Sequence, residues 1–266
     1  MKVFHELPID LMHYAYEWTD GDYCLPHLVD KYERYRLFFQ KARLDGRFII
    51  MDNGLFEGIT HTNEDLISKI EWLAPDIFIV PDAWNDSTTT IRNAKHWMIN
   101  YKNKLPKRTS LMAVLQGKTF SELVSTYQIL VDLGYKHIAI NHSSEAYQTI
   151  GGDMSPLRKQ MVGRHYLINR LLETNTIHQT YYHHLLGCSL PQEVMLYKNN
   201  DIFKYDCIRS IDTSSPIING ALGIRYEDGG LINKPKEKIE DFFDKDLSGQ
   251  IEDIKFNVQK FKSYIK

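Results

Sequence analysis

Polar residues stand where the chain's apolar runs stop: Asp52 ends RFIIMD, Asp82 ends DIFIVPD, Gln116 follows SLMAVL, Asn141 and His142 end KHIAINH, Gly187 and Ser189 fall in HHLLGCS, and Asp212 ends CIRSID. Two carboxylates can divide the work at a glycosidic carbon, where the transition state resembles an oxocarbenium ion. With the pair roughly 5 Å apart, one forms a covalent sugar ester and the other moves protons. A third carboxylate and a glutamine can grip the hydrogen-bonding edge of a base. Each position also has an ordinary alternative, because Asp and Asn open turns and cap helices through their own side chains. At Asp52 that alternative is sharpest, since Asn-Gly after an apolar run is a tight-turn signal. The turn leads into NEDLISKIEWL, which reads as a capped helix and not as the second strand of a hairpin.

Elements must hold these residues, and strand-length apolar runs alternate with amphipathic helices along the chain, the βα signature of a parallel sheet. Helices are expected over TNEDLISKIEWL, STTTIRNAKHWMINY, TFSELVSTYQILVDLG and SPLRKQMVGRHYLINRLLE, the third closing on Gly134. Adding MKVFHE at the start and the stretch from Ile217 to Ile224 brings the candidate strands to about eight, the number of a TIM (β/α)8 barrel. A doubly wound open sheet is the alternative, but no Gly-x-Gly-x-x-Gly follows the first strand. No linker, repeat or low-complexity segment divides the chain. The expectation is therefore one α/β domain over residues 1–266, with a C-terminal helical extension from about residue 235. In a barrel, strand ends converge on the face where active sites are built.

Composition narrows the function classes. No apolar run approaches the roughly 20 residues of a membrane helix, and no signal-peptide pattern is present, so a cytoplasmic protein with no membrane partner is expected. Cys24, Cys188 and Cys207 are scattered, which suggests neither a disulfide framework nor a compact zinc site. His5, His13, His183 and His184 do not form a His-x-His or His-x-x-x-His pair, which argues against a metal-dependent hydrolase. The formal net charge of -2 conceals a segregation of sign. Residues 87–121 carry no acid but include Arg92, Lys95, Lys102, Lys104, Lys107, Arg108 and Lys118, and a second acid-free span holds Arg158, Lys159, Arg164 and Arg170. Such runs are often only solvated helix faces. With Trp97, Tyr101 and Tyr166 interleaved, they could also follow a phosphate backbone.

The same residues carry a resemblance. The chain resembles the tRNA-guanine transglycosylase superfamily, and most of all its short DNA-modifying branch, the DpdA-type 7-deazaguanine DNA transglycosylases of phages and bacteria. The family's Asp-Ser-Gly-Gly-Phe-Gln loop is similar to DNGLFE, with Asp52, Gly54 and Phe56 kept, and its next base-reading Asp is similar to Asp82. Val-Gln-Gly-Gly resembles LQGK, matching Gln116 and Gly117, and Leu-Met-Gly-Val-Gly-Thr-Pro-Glu resembles LLGCSLPQE, which contains Gly187. The nucleophile motif, an Asp four residues before a Pro, resembles DTSSP with Asp212 and Pro216. These matches follow the family's order from Asp52 to Gly220.

The resemblance implies guanine exchange in which Asp212 is the nucleophile and Asp52 the acid/base. Asp82, Gln116, Gly117 and Gly187 would bind the base while Phe56 stacks on it, and Arg92, Lys95, Lys118, Arg158 and Lys159 would meet the nucleic acid. It implies no cofactor and leaves room for a homodimer; the cytoplasm would be the host's if the chain is phage-encoded. The chain departs from the tRNA enzymes in three places. Nothing after Cys207 supplies their zinc site of three cysteines and a histidine, Pro216-Ile217-Ile218 replaces Pro-Thr-Arg, and AINHSSE replaces a glycine-rich base pocket. These departures favour DNA, with replacement of guanine by a 7-deazaguanine such as preQ0. A tRNA-acting enzyme and a non-catalytic nucleic-acid-binding relative are the alternatives.

Overall fold

The computed structural model describes residues 1–265. Eight parallel strands form one sheet: β1 (Lys2–Phe4), β2 (Asp22–Cys24), β3 (Ile49–Met51), β4 (Ile77–Ile79), β5 (Ser110–Leu115), β6 (His137–Asn141), β7 (Tyr182–Leu186) and β8 (Ile208–Asp212). Each of β2 to β7 pairs with its successor, and β8 returns to pair with β1 through Lys2 and Ser210. The seam between β1 and β2 is bridged by the residues just ahead of β2. The Asp20 N–H donates to the Val3 carbonyl at 2.9 Å, and the Val3 N–H donates to the Asp20 carboxylate at 2.8 Å. At Gly21 a Cβ would stand 2.3 Å from the Phe4 ring and 2.7 Å from the Phe48 carbonyl, so only glycine lets the chain pass this seam. The architecture is an almost closed α/β TIM barrel.

Among the described residues ten α-helices flank it: α1 (Ala15–Trp18), α2 (Pro26–Lys31), α3 (Glu33–Leu44), α4 (Asn63–Leu73), α5 (Ser87–Asn100), α6 (Phe120–Asp132), α7 (Glu145–Gln148), α8 (Pro156–Glu173), α9 (Ser215–Ala221) and α10 (Ile251–Ile265). Their starts follow from sequence. Thr62, Asp86, Thr119 and Ser155 each accept the N–H three residues on, which satisfies one of the free donors of a first turn. Among the described residues no helix is long and apolar enough to cross a membrane.

One expectation changes and another is met. The stretch from Ile217 to Ile224 is not a strand: residues through Ala221 form α9, with Pro216 in its first turn, where a missing N–H costs nothing. The eighth strand is instead β2, whose three residues are too few to show alternation. The expected C-terminal helical extension is present and contains α10. Helix α10 packs on α9 so closely that a Cβ on Gly220 would stand 2.5 Å from Ile254 Cα. Buried Asn257 then donates to the Ile224 carbonyl at 2.8 Å and accepts from the Tyr226 N–H at 2.8 Å.

Beneath the C-terminal ends of the strands, the barrel interior holds rings. Phe4 packs against Phe48 and His184, Phe48 stacks on Tyr182, and Tyr23 stacks on His184. Of these rings Tyr23 lines the cavity above.

Candidate active site

The strand ends enclose a cavity of about 380 Å³, whose walls include Asp52, Asp82, Gln116, Asn141, Gly187 and Asp212. Strand-end residues that are far apart in sequence therefore meet in one place, as the barrel geometry requires.

Asp212 closes β8 and is buried. Its Oδ1 accepts from His184 Nε2 and from the Gly187 N–H, both at 2.8 Å. His184 Nδ1 lies 2.7 Å from Ser210 Oγ, a contact that orients the ring toward Asp212. Asp212 Oδ2 has no protein partner among the described residues, and the side chain lines the cavity. One oxygen is fixed and the other is free.

The opposite wall is a closed network of amides. Asp82 accepts from Asn53 Nδ2 at 2.8 Å on one oxygen and from Gln116 Nε2 at 2.7 Å on the other. Asn53 also donates to the Val80 carbonyl at 3.0 Å, and its Oδ1 accepts the Leu55 N–H at 2.9 Å. Gln116 Oε1 accepts from the Asn85 N–H and from Asn141 Nδ2, both at 3.1 Å, and Tyr147 donates to Asn141 Oδ1 at 3.1 Å. Burial raises the Asp82 carboxyl, and the two amide donors oppose that rise.

Between these walls lie carboxyls whose environment favours the protonated form. Burial, then the nearby Glu57, pushes Asp52 well above the usual carboxylate range, with Asp212 and Asp82 adding to the rise. Burial, then Asp212, does the same to Glu6, which follows β1. Glu57 is raised to about 7, chiefly by burial, and its Oε2 is buried without a partner among the described residues. Tyr23 keeps its hydroxyl proton far into the basic range because it is buried beside Asp52 and Asp212. His142 is lowered to about 3, mainly by burial with Arg164 adding to it, so its imidazole stands neutral in the wall.

At the mouth, Phe56 is 46% exposed and stacks on Trp84, with ring centroids 6.2 Å apart, and Lys234 and Lys238 each lie over its ring. The segment from Lys234 to Glu240 crosses beside it.

The remaining expected residues divide. Gly187 lines the cavity, but its N–H serves Asp212 and its carbonyl accepts from Arg164 Nη2 at 2.8 Å, so its backbone is committed to the protein. Gly117 stands behind the wall: its carbonyl accepts from Ser144 Oγ at 2.7 Å, and a Cβ would press on Glu122 and Leu123 at the start of α6. Arg164 is no surface cation. It is fully buried, donates to Glu193 at 2.7 Å, and braces the ends of β6 and β7 through the Ile140 and Leu186 carbonyls. Trp97 is likewise core, packed on Phe78. Arg92, Lys95, Lys118 and Arg158 are exposed and Lys159 is half-buried, all outside the cavity wall. The three cysteines are buried and free. Among the described residues, no group of three or more His, Cys, Asp or Glu is disposed to hold a metal ion.

Glu6, Tyr23, Glu57, Trp84, His184 and the Lys234–Glu240 segment are wall or supporting residues that the strand-end pattern did not select. Glu6 follows the run MKVFH and obeys the same rule as Asp52, so that signal was present. The fold and site define an α/β barrel with an acid-lined cavity at the C-terminal ends of its strands. A scan against protein-family models and a search of curated proteins gave no match, so the functional reading rests on this geometry and on the motif resemblance.

Proposed function

We propose that the protein is a base-exchange transglycosylase that replaces guanine in DNA with a 7-deazaguanine such as preQ0. The observation that carries this reading is Asp212, a buried carboxylate with one oxygen clamped by His184 and Gly187 and the other left for a bond. In the first step Asp212 Oδ2 attacks C1' of the target nucleotide while the bond from C1' to N9 breaks. Its electron pair leaves with the base, and protonated Asp52 supplies the proton that makes free guanine. In the second step Asp52, now a carboxylate, takes the N9 proton of the incoming base. N9 displaces Asp212 from C1', restoring both carboxyls to their starting states. Two displacements retain the configuration at the sugar. The raised Asp52 carboxyl suits this task, since an acid must hold its proton near neutral pH to give it up in the transition state.

Asp82 and Gln116 fit the donor-rich edge of guanine, and Phe56 with Trp84 supplies an aromatic face. A base inside a duplex cannot reach the floor of a barrel cavity, so the target is flipped out or single-stranded. No step calls for a cofactor. Incubation with radiolabelled guanine and either DNA or tRNA tests the reading: label is expected in DNA. Label in tRNA alone would transfer the same chemistry to RNA, and label in neither would overturn the exchange reaction.

A further inference from the structure

The segment from Leu231 to Glu240 spans the cavity mouth between two anchors. At one end Gln192 accepts from the Leu231 N–H at 3.0 Å and donates to its carbonyl at 2.7 Å, while Gly230 passes Gln192 too closely for any Cβ. At the other end Glu240 lies 2.8 Å from His27 Nε2. Between the anchors Lys234, Lys236 and Lys238 alternate along the chain and line the mouth. All three are exposed, and none lies within ion-pair distance of a carboxylate among the described residues, although the cavity below is lined with acids. Lys234 and Lys238 each stand 5.6 Å from the Phe56 ring centroid, which brings both cations to the same edge of the entrance. Glu237 is the one carboxylate on the span that no partner occupies.

The site is therefore bipolar. The carboxyls and amides inside the cavity offer hydrogen-bond acceptors, and its rim offers cations that no carboxylate pairs among the described residues. Of the parts of a nucleotide, a guanine edge rich in N–H donors matches the interior, and a phosphodiester matches the rim. We infer that this pinned segment is a phosphodiester-binding rim, with Lys234, Lys236 and Lys238 taking the phosphates that flank the nucleotide whose base enters the cavity. The inference rests on the transglycosylase reading for the identity of that nucleotide. It moves the main contact with the strand from the basic helices, where charge runs alone would put it, to the cavity mouth.

Binding of a fluorescent single-stranded oligodeoxynucleotide to the full chain, followed by anisotropy at several salt concentrations, tests it. Each phosphate neutralised on a single strand contributes roughly 0.7 to the slope of log affinity against log salt. The triple variant K234Q/K236Q/K238Q should lower that slope by roughly 2, while K234R/K236R/K238R keeps it. Replacing Arg92, Lys95, Arg158 and Lys159 by Gln should cost less slope than the triple variant. An unchanged slope in the triple Gln variant, or a larger loss from the helix variant, overturns the rim. The two readings fail separately. Oligonucleotide binding with the expected slope but no label exchange removes the reaction and leaves the rim, whereas label exchange with an unaltered slope removes the rim and leaves the reaction.

Discussion

On the side of the cavity formed by β4, β5 and β6, the polar side chains are engaged with one another: Asp82 holds two amides, Gln116 bridges Asp82 to Asn85 and Asn141, and Tyr147 fixes Asn141. On the side formed by β8, β1 and β3, Asp212 keeps one oxygen free, and Asp52, Glu6 and Glu57 bond to no other side chain among the described residues. The first wall has its shape before any ligand arrives. A buried network with its partners satisfied is rigid, which is what recognition of one base edge requires. The second wall has capacity left for a covalent bond and for protons. Under the proposed exchange, one half of the site would hold a shape and the other would change state.

The largest effect expected from this contrast lies in Asp212→Asn. The amide keeps an oxygen for His184 and the Gly187 N–H, so melting should be close to normal. Exchange should fall by roughly 10⁴ or more, as losses of a nucleophile do. Substantial residual exchange would mean that the free oxygen of β8 is not the reacting group.

Asp52→Asn removes the proton carrier and leaves the nucleophile, so turnover should drop by roughly 10² to 10⁴. Asparagine serves a turn as well as aspartate does. Near-normal exchange in this variant would return Asp52 to a turn role and dissolve the distinction between the walls.

Asp82→Ala tests the rigid wall. Loss of a charge-assisted acceptor should weaken binding of free 7-deazaguanine by about one to two powers of ten in calorimetry. From sequence alone Asp82 reads as a residue whose removal costs affinity and little stability. The structure adds a penalty, because the Asn53 and Gln116 amides lose their acceptor, and about 1 to 3 kcal/mol of stability should go with it. Unaltered base binding would make Asp82 structural only.

The smallest effect is in the pH dependence of stability. Glu57 is raised from 4.5 to about 7, so it favours the neutral acid in the folded chain. Its contribution is fully present below pH 4.5 and is lost as pH rises through about 7. Glu57→Gln should flatten the fall in melting temperature across that range, and an unchanged profile would show that Glu57 carries no proton there.

Much of this contrast was legible in the chain. Asp52, Asp82, Gln116, Asn141 and Asp212 could be found because each ends an apolar run, and a parallel barrel gathers such ends. His184 escaped the pattern because it stands inside β7, one of two adjacent histidines, and only the register opposite Ser210 reveals which one faces Asp212. Tyr23 escaped because β2 is three residues long. The lysine rim escaped because the segment is irregular, and neither helical nor strand periodicity marks it. Basic runs misled in part: Arg164 and Trp97 lie in the interior, one bracing strand ends and the other filling the core. Charge written along a sequence does not say which side of a helix bears it.

The most direct test of the central claim is to find where the sugar becomes attached. The full chain is incubated with a guanine-containing oligodeoxynucleotide without any incoming base, quenched in acid, digested and mapped by mass spectrometry. The account predicts an oligonucleotide ester on the peptide containing Asp212, absent from Asp212→Asn and still formed to some extent by Asp52→Asn. An ester on Asp52, or base release without any adduct, would contradict it.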